Sequence, residues 1–281
     1  MNAPPSQLFS GMIDLHCHLL PGIDDGARTM EQALAMAEIA VQDGITLAVM
    51  TPHHLNGVYD NPADDIRQQV RDFSEALVAR DISLEILPGA ECHLVPELPA
   101  ALADKTAMTV ADRGDAVLVE LPVHTIPMGA TTILEEIRTL GMTPVIVHPE
   151  RNSQLRKQPE RLADWVAMGC LAQATAQACT GRFGEPVRQA ARHMVTSGLI
   201  HFVASDAHRD RRRVPQMSPG RQAIADWTSD EVAHLLSEVN PRALVAGRPI
   251  ETQRLHDAID CVRPSASLWQ RVRNVIGLET T

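Results

Sequence analysis

The sequence predicts an α/β fold: a parallel sheet of about seven strands, covered by helices and closing into a barrel-like (β/α) arrangement. Three observations predict it. Near-continuous apolar runs of strand length recur along the chain, each followed by a helical pattern. Capping boxes and closing glycines punctuate the helices. No linker or low-complexity stretch interrupts the alternation, so residues 12–281 read as one domain behind a flexible tail over residues 1–11.

The first strand is "MIDLHC". Alternation places Asp14, His16 and His18 on one face and Ile13, Leu15 and Cys17 on the other. Thr29 to Gln32 forms a capping box, opening a helix that runs to Gly44. "ITLAVMTPHH" is the second strand. Asn61-Pro62 starts the next helix, with Asp64 and Asp65 in the first turn, where the helix dipole favours acids. "ISLEILPGAECHL" and "AVLVELP" are further strands. A helix from Pro127 to Leu140 closes at Gly141, and "TPVIVHPE" is the strand after it. "PERLADWVAMG" and "EPVRQAARHMVTSG" are helices flanking the strand "CLAQATA", and "LIHFVASDAH" is the last strand. From Ser218 the chain reads as helical, with a second capping box at Thr228 to Glu231.

Composition narrows the function. A chain of 281 residues suits a single α/β barrel, and 44% hydrophobic residues suffice for a large core. Aromatics are only 3%, so that core is built from Ala, Val, Leu, Ile and Met. A net charge of −10 argues against bulk binding to nucleic acid or anionic membrane. The five cysteines (17, 92, 170, 179 and 261) include no C-x-x-C pair and are odd in number. A disulfide framework is not expected, and a reducing cytoplasm fits. Neither a signal peptide nor an apolar run of about 18 residues is seen, so no membrane insertion is expected. Self-association into a homo-oligomer stays open.

Chemistry gathers at the strand ends. His16 and His18, then Asp24 and Asp25, follow the first strand; His53 and His54 end the second. Glu91 and His93, Glu120, then His148, Glu150 and Arg151, and finally Asp206 and His208 end four more. In parallel α/β folds these ends converge on the ligand site. A lone strand-end histidine is usually a satisfied polar residue, but buried ionisable groups are costly unless paired or coordinated. Six strand ends that all deliver His, Asp or Glu point to metal. Imidazole and carboxylate without a thiolate cluster suit manganese, iron or zinc in a catalytic site. Nine ligand candidates exceed one ion and imply two or three divalent ions with bridging carboxylates, a layout suited to displacement at phosphorus. Cys17 and Cys92 read as small buried apolar residues, and His54 and His93 as lying outside the ligand shell. No Cys-x5-Arg nucleophile loop occurs at any cysteine.

The motifs "IDLHCHLLPGIDDGA", "TPHHLNGVYDNP", "LPGAECHL", "VLVELP", "VIVHPER" and "VASDAH", with the later "NPRALVAGRPI", resemble the polymerase-and-histidinol-phosphatase (PHP) superfamily. Within it they resemble the bacterial tyrosine-protein phosphatases encoded with capsule and exopolysaccharide genes. The resemblance implies a distorted (β/α)7 barrel holding three metals, most often Mn2+. It implies His16, His18, Glu91 and Asp206 on one ion, and Glu91 as a bridge with Glu120 and His148 on a second. Asp25, His53 and His208 would hold the third. Arg151 and Arg213 would bind phosphate, where the planar guanidinium fork matches phosphoryl oxygens. Arg211 and Arg212 read as a solvated loop, and Tyr59 as a candidate pocket residue. Where relatives carry Asn and Ser after the glutamine at 173, this chain reads "QATAQACTGRFG".

The expected function is metal-dependent dephosphorylation of the phosphotyrosine tail of a bacterial tyrosine autokinase, regulating polysaccharide synthesis. A metal-bridging hydroxide would attack directly, with His53 or His208 assisting the leaving oxygen. The alternatives are a phosphatase of small phosphomonoesters such as histidinol phosphate, and a non-catalytic metal-binding assembly module.

Overall fold

The structure, a computed structural model, describes residues 11–262. Apart from Gly11, the expected tail and the end of the expected domain beyond 262 therefore lie outside the described residues. Nine strand segments are present: β1 (Met12–Cys17), β2 (Ile45–Met50), β3 (His53–His54), β4 (Glu85–Pro88), β5 (Glu91–His93), β6 (Ala116–Glu120), β7 (Thr143–Val147), β8 (Leu171–Thr175) and β9 (Phe202–Ala204). Every ladder is parallel. The segments pair as β1-β2-β4 and as β3-β5-β6-β7-β8-β9.

These nine segments are seven staves, because two of the expected strands are each cut in two. Thr51-Pro52 separates β2 from β3, and Gly89-Ala90 separates β4 from β5. Proline has no N–H for the ladder. At Gly89 a Cβ would lie 2.6 Å from Val49 Cγ1, so only glycine lets the staves approach there. The chain re-enters pairing at once, with Glu91 N–H donating to Pro52 O at 3.0 Å. The ring closes between β9 and β1 by a short bridge: Asp206 N–H donates to His16 O (2.8 Å) and His18 N–H to Ala207 O (2.9 Å). The expected (β/α)7 barrel is thus the fold found.

The first strand departs from simple alternation. Asp14 pairs with Ala48 but Cys17 pairs with Met50, so three steps along β1 match two along β2. This is a bulge, which bends the strand and re-aims its side chains. Ile13 and Leu15 stay in the barrel interior, whereas Cys17 packs in the outer layer. Asp14 does not join the histidines. Its carboxylate accepts Ser205 N–H at 2.9 Å and the Ser205 hydroxyl, standing in for ladder bonds where β1 meets β9.

Twelve helices cover the described barrel: α1 (Met30–Gln42), α2 (Ala63–Ala79), α3 (Leu98–Ala103), α4 (Ala130–Thr139), α5 (Ser153–Lys157), α6 (Glu160–Ala167), α7 (Ala176–Cys179), α8 (Glu185–Thr196), α9 (Ser218–Trp227), α10 (Asp230–His234), α11 (Asn240–Val245) and α12 (Thr252–Val262). Thr29 caps α1 as expected, accepting Gln32 N–H at 3.2 Å, but Gln32 reaches back to Arg28 N–H rather than to Thr29. At α10 the cap is Ser229, not Thr228; Thr228 instead donates to Ile224 O in the helix before. Asn61 does not cap α2 either, because its amide ties down Ile23 O and His53 O. α4 begins at Ala130, later than expected, after Gly129 in a left-handed conformation (φ 82°).

Alternate strand residues split the core into two layers. Ile13, Leu15, Leu47, Val49, Leu118, Val145, Val147 and Phe202 meet inside the barrel, joined by Val110 and by Leu244 of α11. Residues of the other parity, such as Ala48, Val117, Ile146 and Val203, pack beneath the helices. The interior is therefore apolar at the amino ends of the strands. At their carboxyl ends the same inward parity changes chemistry.

Candidate metal centre

Continuing the inward parity from Leu118 reaches Glu120, and from Phe202 it reaches Asp206. The β1 bulge delivers His16 and His18. His148 is turned inward by a left-handed backbone (φ 36°), and Asp206 also has positive φ (50°). Non-glycine residues held there by their surroundings carry backbone strain, a feature that gathers at functional sites.

Glu91 is the hub, fully buried on β5. Its Oε2 lies 3.2 Å from His16 Nε2, 3.3 Å from His18 Nε2 and 2.9 Å from His53 Nδ1. Its Oε1 lies 2.7 Å from His148 Nε2. Asp206 Oδ1 sits 3.6 Å from both His16 Nε2 and His18 Nε2. Glu120 completes a second side, 3.6 Å from His53 Nδ1 and 3.9 Å from His148 Nε2. On the third side Asp25 Oδ1 lies 3.4 Å from His53 Nε2 and 3.3 Å from His208 Nε2. All nine ligand candidates come together. Three groupings have ligand atoms close enough for one ion: His16, His18 and Glu91; His53, Glu91 and Glu120; and His18, Asp25, His53 and His208.

The donor set fits cations. Glu91 Oε2, His53 Nδ1 and Asp25 Oδ1 are buried atoms with no hydrogen bond, although Glu91 Oε2 and His53 Nδ1 are only 2.9 Å apart. Buried polar atoms normally find hydrogen-bond partners. Glu91 Oε2 shares one grouping with His53, and Asp25 Oδ1 shares another, so these unsatisfied atoms fall where a cation would take them up.

Partners behind the ligands fix them. His16 Nδ1 meets Gln173 Oε1 at 2.9 Å, and His18 Nδ1 meets Asp24 Oδ2 at 2.7 Å. Both leave the Nε2 atoms to the cluster, the usual carboxylate- or amide-braced arrangement of a metal-binding histidine. Asp24 is itself braced by Gly26 N–H at 2.7 Å. A Cβ at Gly26 would lie 2.1 Å from His18 O, so glycine is required for this approach.

Charge follows the same geometry. Burial opposes charge on His18 and His53, but Asp24 raises the first to about 9, and Glu91 with Asp25 raises the second to about 11. Against burial, Glu91 is held well below the usual carboxylate range by His16 and His53, and Asp206 by Arg213 and Arg151. His208 is lowered to about 4 by burial and by His18. Cation entry must therefore displace protons from imidazoles, so binding strengthens as pH rises.

Both predicted phosphate-binding arginines reach the cluster. Arg151 Nη1 and Arg213 Nη2 converge on Asp206 Oδ2, and Arg151 lies over the Phe183 ring at 5.0 Å. Tyr59 lies at the edge of the cluster, its ring 6.1 Å from that of His53. His93 lies on the same parity as Glu91 and approaches Glu120 Oε2 at 3.3 Å, yet it belongs to none of the three ligand groupings. Two readings change. Asp14 faces Ser205, as described. Glu150 turns to Thr175 N–H at 2.8 Å rather than to the cluster. His54 does lie apart, accepting from Asn61 N–H. Gln173 was not among the candidate ligands; inward parity on β8 is the signal that finds it.

The cysteines offer no nucleophile here. Burial raises Cys17, Cys92, Cys170 and Cys179 above the ordinary thiol range, and Cys261 is exposed on α12. Thiols so placed stay protonated and inert.

Residues 12–246 match the family model described as capsular polysaccharide synthesis, CpsB/CapC. The chain is 34% identical over 242 residues to the tyrosine-protein phosphatase YwqE of Bacillus subtilis (strain 168), covering 86% of this chain and 94% of that protein. It is 32% identical over 242 residues to the tyrosine-protein phosphatase CpsB of Streptococcus pneumoniae, covering 83% and 98%. A crystal structure from the pair YwqE and CpsB, described as unique metal-dependent tyrosine phosphatases, superposes with a TM-score of 0.82 at 34% identity, covering 85% of this chain and 96% of that one. At 12% identity, an Escherichia coli phosphotriesterase homology protein shares the fold (TM-score 0.54).

Proposed function

The chain belongs to the CpsB/CapC family of capsular polysaccharide synthesis, and we propose that its metal centre hydrolyses phosphotyrosine on the tail of a bacterial tyrosine autokinase in the cytoplasm. It is a metal-dependent tyrosine-protein phosphatase. The observation that carries the finer reading is the convergence of Arg151 and Arg213 on Asp206, beside three groupings of cation ligands that share Glu91, His18 and His53.

Two or three divalent cations in such a site, most readily Mn2+ and otherwise Fe or Zn, supply Lewis acidity toward phosphoryl oxygens and acidify water. The nine residues would hold them as His16, His18, Glu91 and Asp206; Glu91, Glu120 and His148; and Asp25, His53 and His208. The remaining work falls to other groups. Arg151 and Arg213 present N–H forks at the lip of the cluster and stabilise the equatorial oxygens as charge shifts onto them. Asp206 holds both forks in place until substrate enters. His53 and His208 are the two imidazoles considered for assisting the leaving oxygen, and both lie beside Asp25 at the cluster. With every buried thiol protonated, water attacks phosphorus directly and no phosphocysteine forms.

Metal removal and trapping test this together. EDTA should abolish hydrolysis of a phosphotyrosyl peptide, Mn2+ should restore it better than Mg2+, and Cys17→Ser with Cys92→Ser should retain most activity. A trapped covalent phosphoenzyme would contradict direct attack. Faster turnover of histidinol phosphate than of any phosphotyrosyl peptide would favour a small-molecule substrate.

A further inference from the structure

The mouth of the barrel has two unlike sides. Because the strands are parallel and the seven staves run in chain order, the loops after β3, β5 and β6 are neighbours on one side, and the loops after β8 and β9 are neighbours across from them.

The first side is apolar. Val58 is 79% exposed and Val123 49%, and Met128 is fully exposed. These residues sit on held loops rather than on loose ones. Asn56 Oδ1 accepts Val58 N–H (3.0 Å) and Tyr59 N–H (2.7 Å). Asn152 donates to Pro122 O and Thr125 O, and Gln154 accepts Ile126 N–H. Beside Val58 lies a groove of about 360 Å³ whose lining includes Leu55, Tyr59 and Val95. Among the described residues, the charged groups lining it are Asp60 and Glu97, both negative.

The opposite side is basic. His208 N–H donates to Arg213 O at 2.8 Å, closing the segment 208–213 into a tight loop. Arg209 is spent inside it, donating to Asp25 O, Gly26 O and His208 O, and Asp210 is tied to Gln32 at 2.8 Å. Arg213 is on Asp206. Arg211 and Arg212 remain at the tip, exposed, with no hydrogen bond or ion pair among the described residues. Arg182 on the neighbouring loop is exposed as well. In a chain of net charge −10, a pinned loop presenting two free guanidinium groups beside the catalytic centre is a local reversal of sign. Clefts lined by one sign of charge attract the other.

We infer that this mouth selects an extended phosphotyrosyl segment with acidic side chains on one side of the phosphotyrosine, against Arg211 and Arg212, and an apolar side chain on the other, against Val58 and Met128. The inference rests on the phosphotyrosyl-protein reading above and specifies the sequence that such a substrate carries. Asp60 and Glu97 enforce the orientation by repelling acids from the apolar side.

The test uses the metal-loaded full chain and reads kcat/KM on p-nitrophenyl phosphate and on matched phosphotyrosyl peptides. One peptide carries an acidic flank and an apolar flank, a second has the acids replaced by Asn and Gln, and a third has the apolar residue replaced by Ser. The first should exceed the second by roughly fivefold at low salt, through KM, and the difference should shrink in 0.5 M NaCl, about the range expected for a few exposed ion pairs. The double variant Arg211→Glu, Arg212→Glu should remove that preference while leaving p-nitrophenyl phosphate turnover unchanged. Val58→Asp with Met128→Asp should remove the preference over the third peptide. Equal kcat/KM for all three peptides would overturn the inference and leave the phosphotyrosine reading standing. Hydrolysis of p-nitrophenyl phosphate with none of the peptides would overturn both.

Discussion

At the scale of single residues, Arg151 and His201 show two different uses of burial. Arg151 is largely withdrawn from solvent between Asp206 and the Phe183 ring, a position that restricts its fork to one plane. Arg151→Ala should lower kcat/KM on a phosphotyrosyl peptide by roughly 10²–10³-fold, the range for losing a transition-state donor, with metal content unchanged. Arg151→Lys should recover only part, since the charge returns without the bidentate geometry. Metal analysis alongside steady-state kinetics checks both. His201 sits at the amino end of β9, where its Nδ1 accepts Ala172 N–H at 3.1 Å and its Nε2 has no partner. Burial, helped by His256, lowers it from 6.5 to about 4. The unfolded chain therefore binds this proton first. The stability from His201 is complete above about pH 6.5 and is lost as pH falls toward 4, about 3 kcal/mol in all. Imidazole NMR should find His201 neutral at pH 5.5, and denaturant unfolding of His201→Gln should lose less stability between pH 7 and pH 5 than the parent chain.

At the scale of elements, the α10 cap offers a clean comparison. Ser229→Ala removes the acceptor for Val232 N–H and should cost about 1 kcal/mol. Thr228→Ala removes only a hydroxyl that back-bonds Ile224 O, and should cost a few tenths of that. Chemical denaturation of the two variants separates them, and from the sequence alone their order reads the wrong way round. This shows what alternation and capping rules can and cannot see. Glu120 was legible because β6 keeps parity to its last residue, and Glu91 and Asp206 because the count of two from Leu87 and Phe202 survives the Gly89-Ala90 break and the end of β9. Asp14 was misplaced because a bulge, set by pairing with β2 and β9, is a tertiary event with no local signature. His148 reaches the cluster only through a left-handed backbone that no propensity favours. The interruption of β2 and β4 had visible causes in Pro52 and Gly89, yet whether a break ends a stave or only notches it depends on what lies across the sheet. Gln173 escaped because an amide is not a ligand type, although its position announced it.

At the scale of the whole molecule, the fold class and the gathering of His, Asp and Glu at the strand ends were readable, since both follow from strand–helix alternation, whereas the choice of nine donors rested on the family resemblance. The sides of the mouth were not readable, because exposure of Val58 and Met128 and the pinning of the 208–213 loop emerge only once the loops are packed. One feature of the interior governs traffic. Ile13, Leu15, Leu118, Val145 and Phe202, sealed at the far end by Val110 and Leu244, fill the barrel beneath the ligands with side chains at most 7% exposed. The active site is a cul-de-sac. Orthophosphate has no rear exit, so it must depart through the opening that admits the next substrate, and only after the dephosphorylated tyrosine has cleared the way. Release is then ordered, tyrosine product first and phosphate second. Orthophosphate should inhibit competitively against a phosphotyrosyl peptide, whereas a peptide bearing unmodified tyrosine should inhibit noncompetitively, a pattern that product-inhibition kinetics reads directly. A competitive pattern from the tyrosine peptide, with phosphate noncompetitive, would mean that phosphate escapes by some other route.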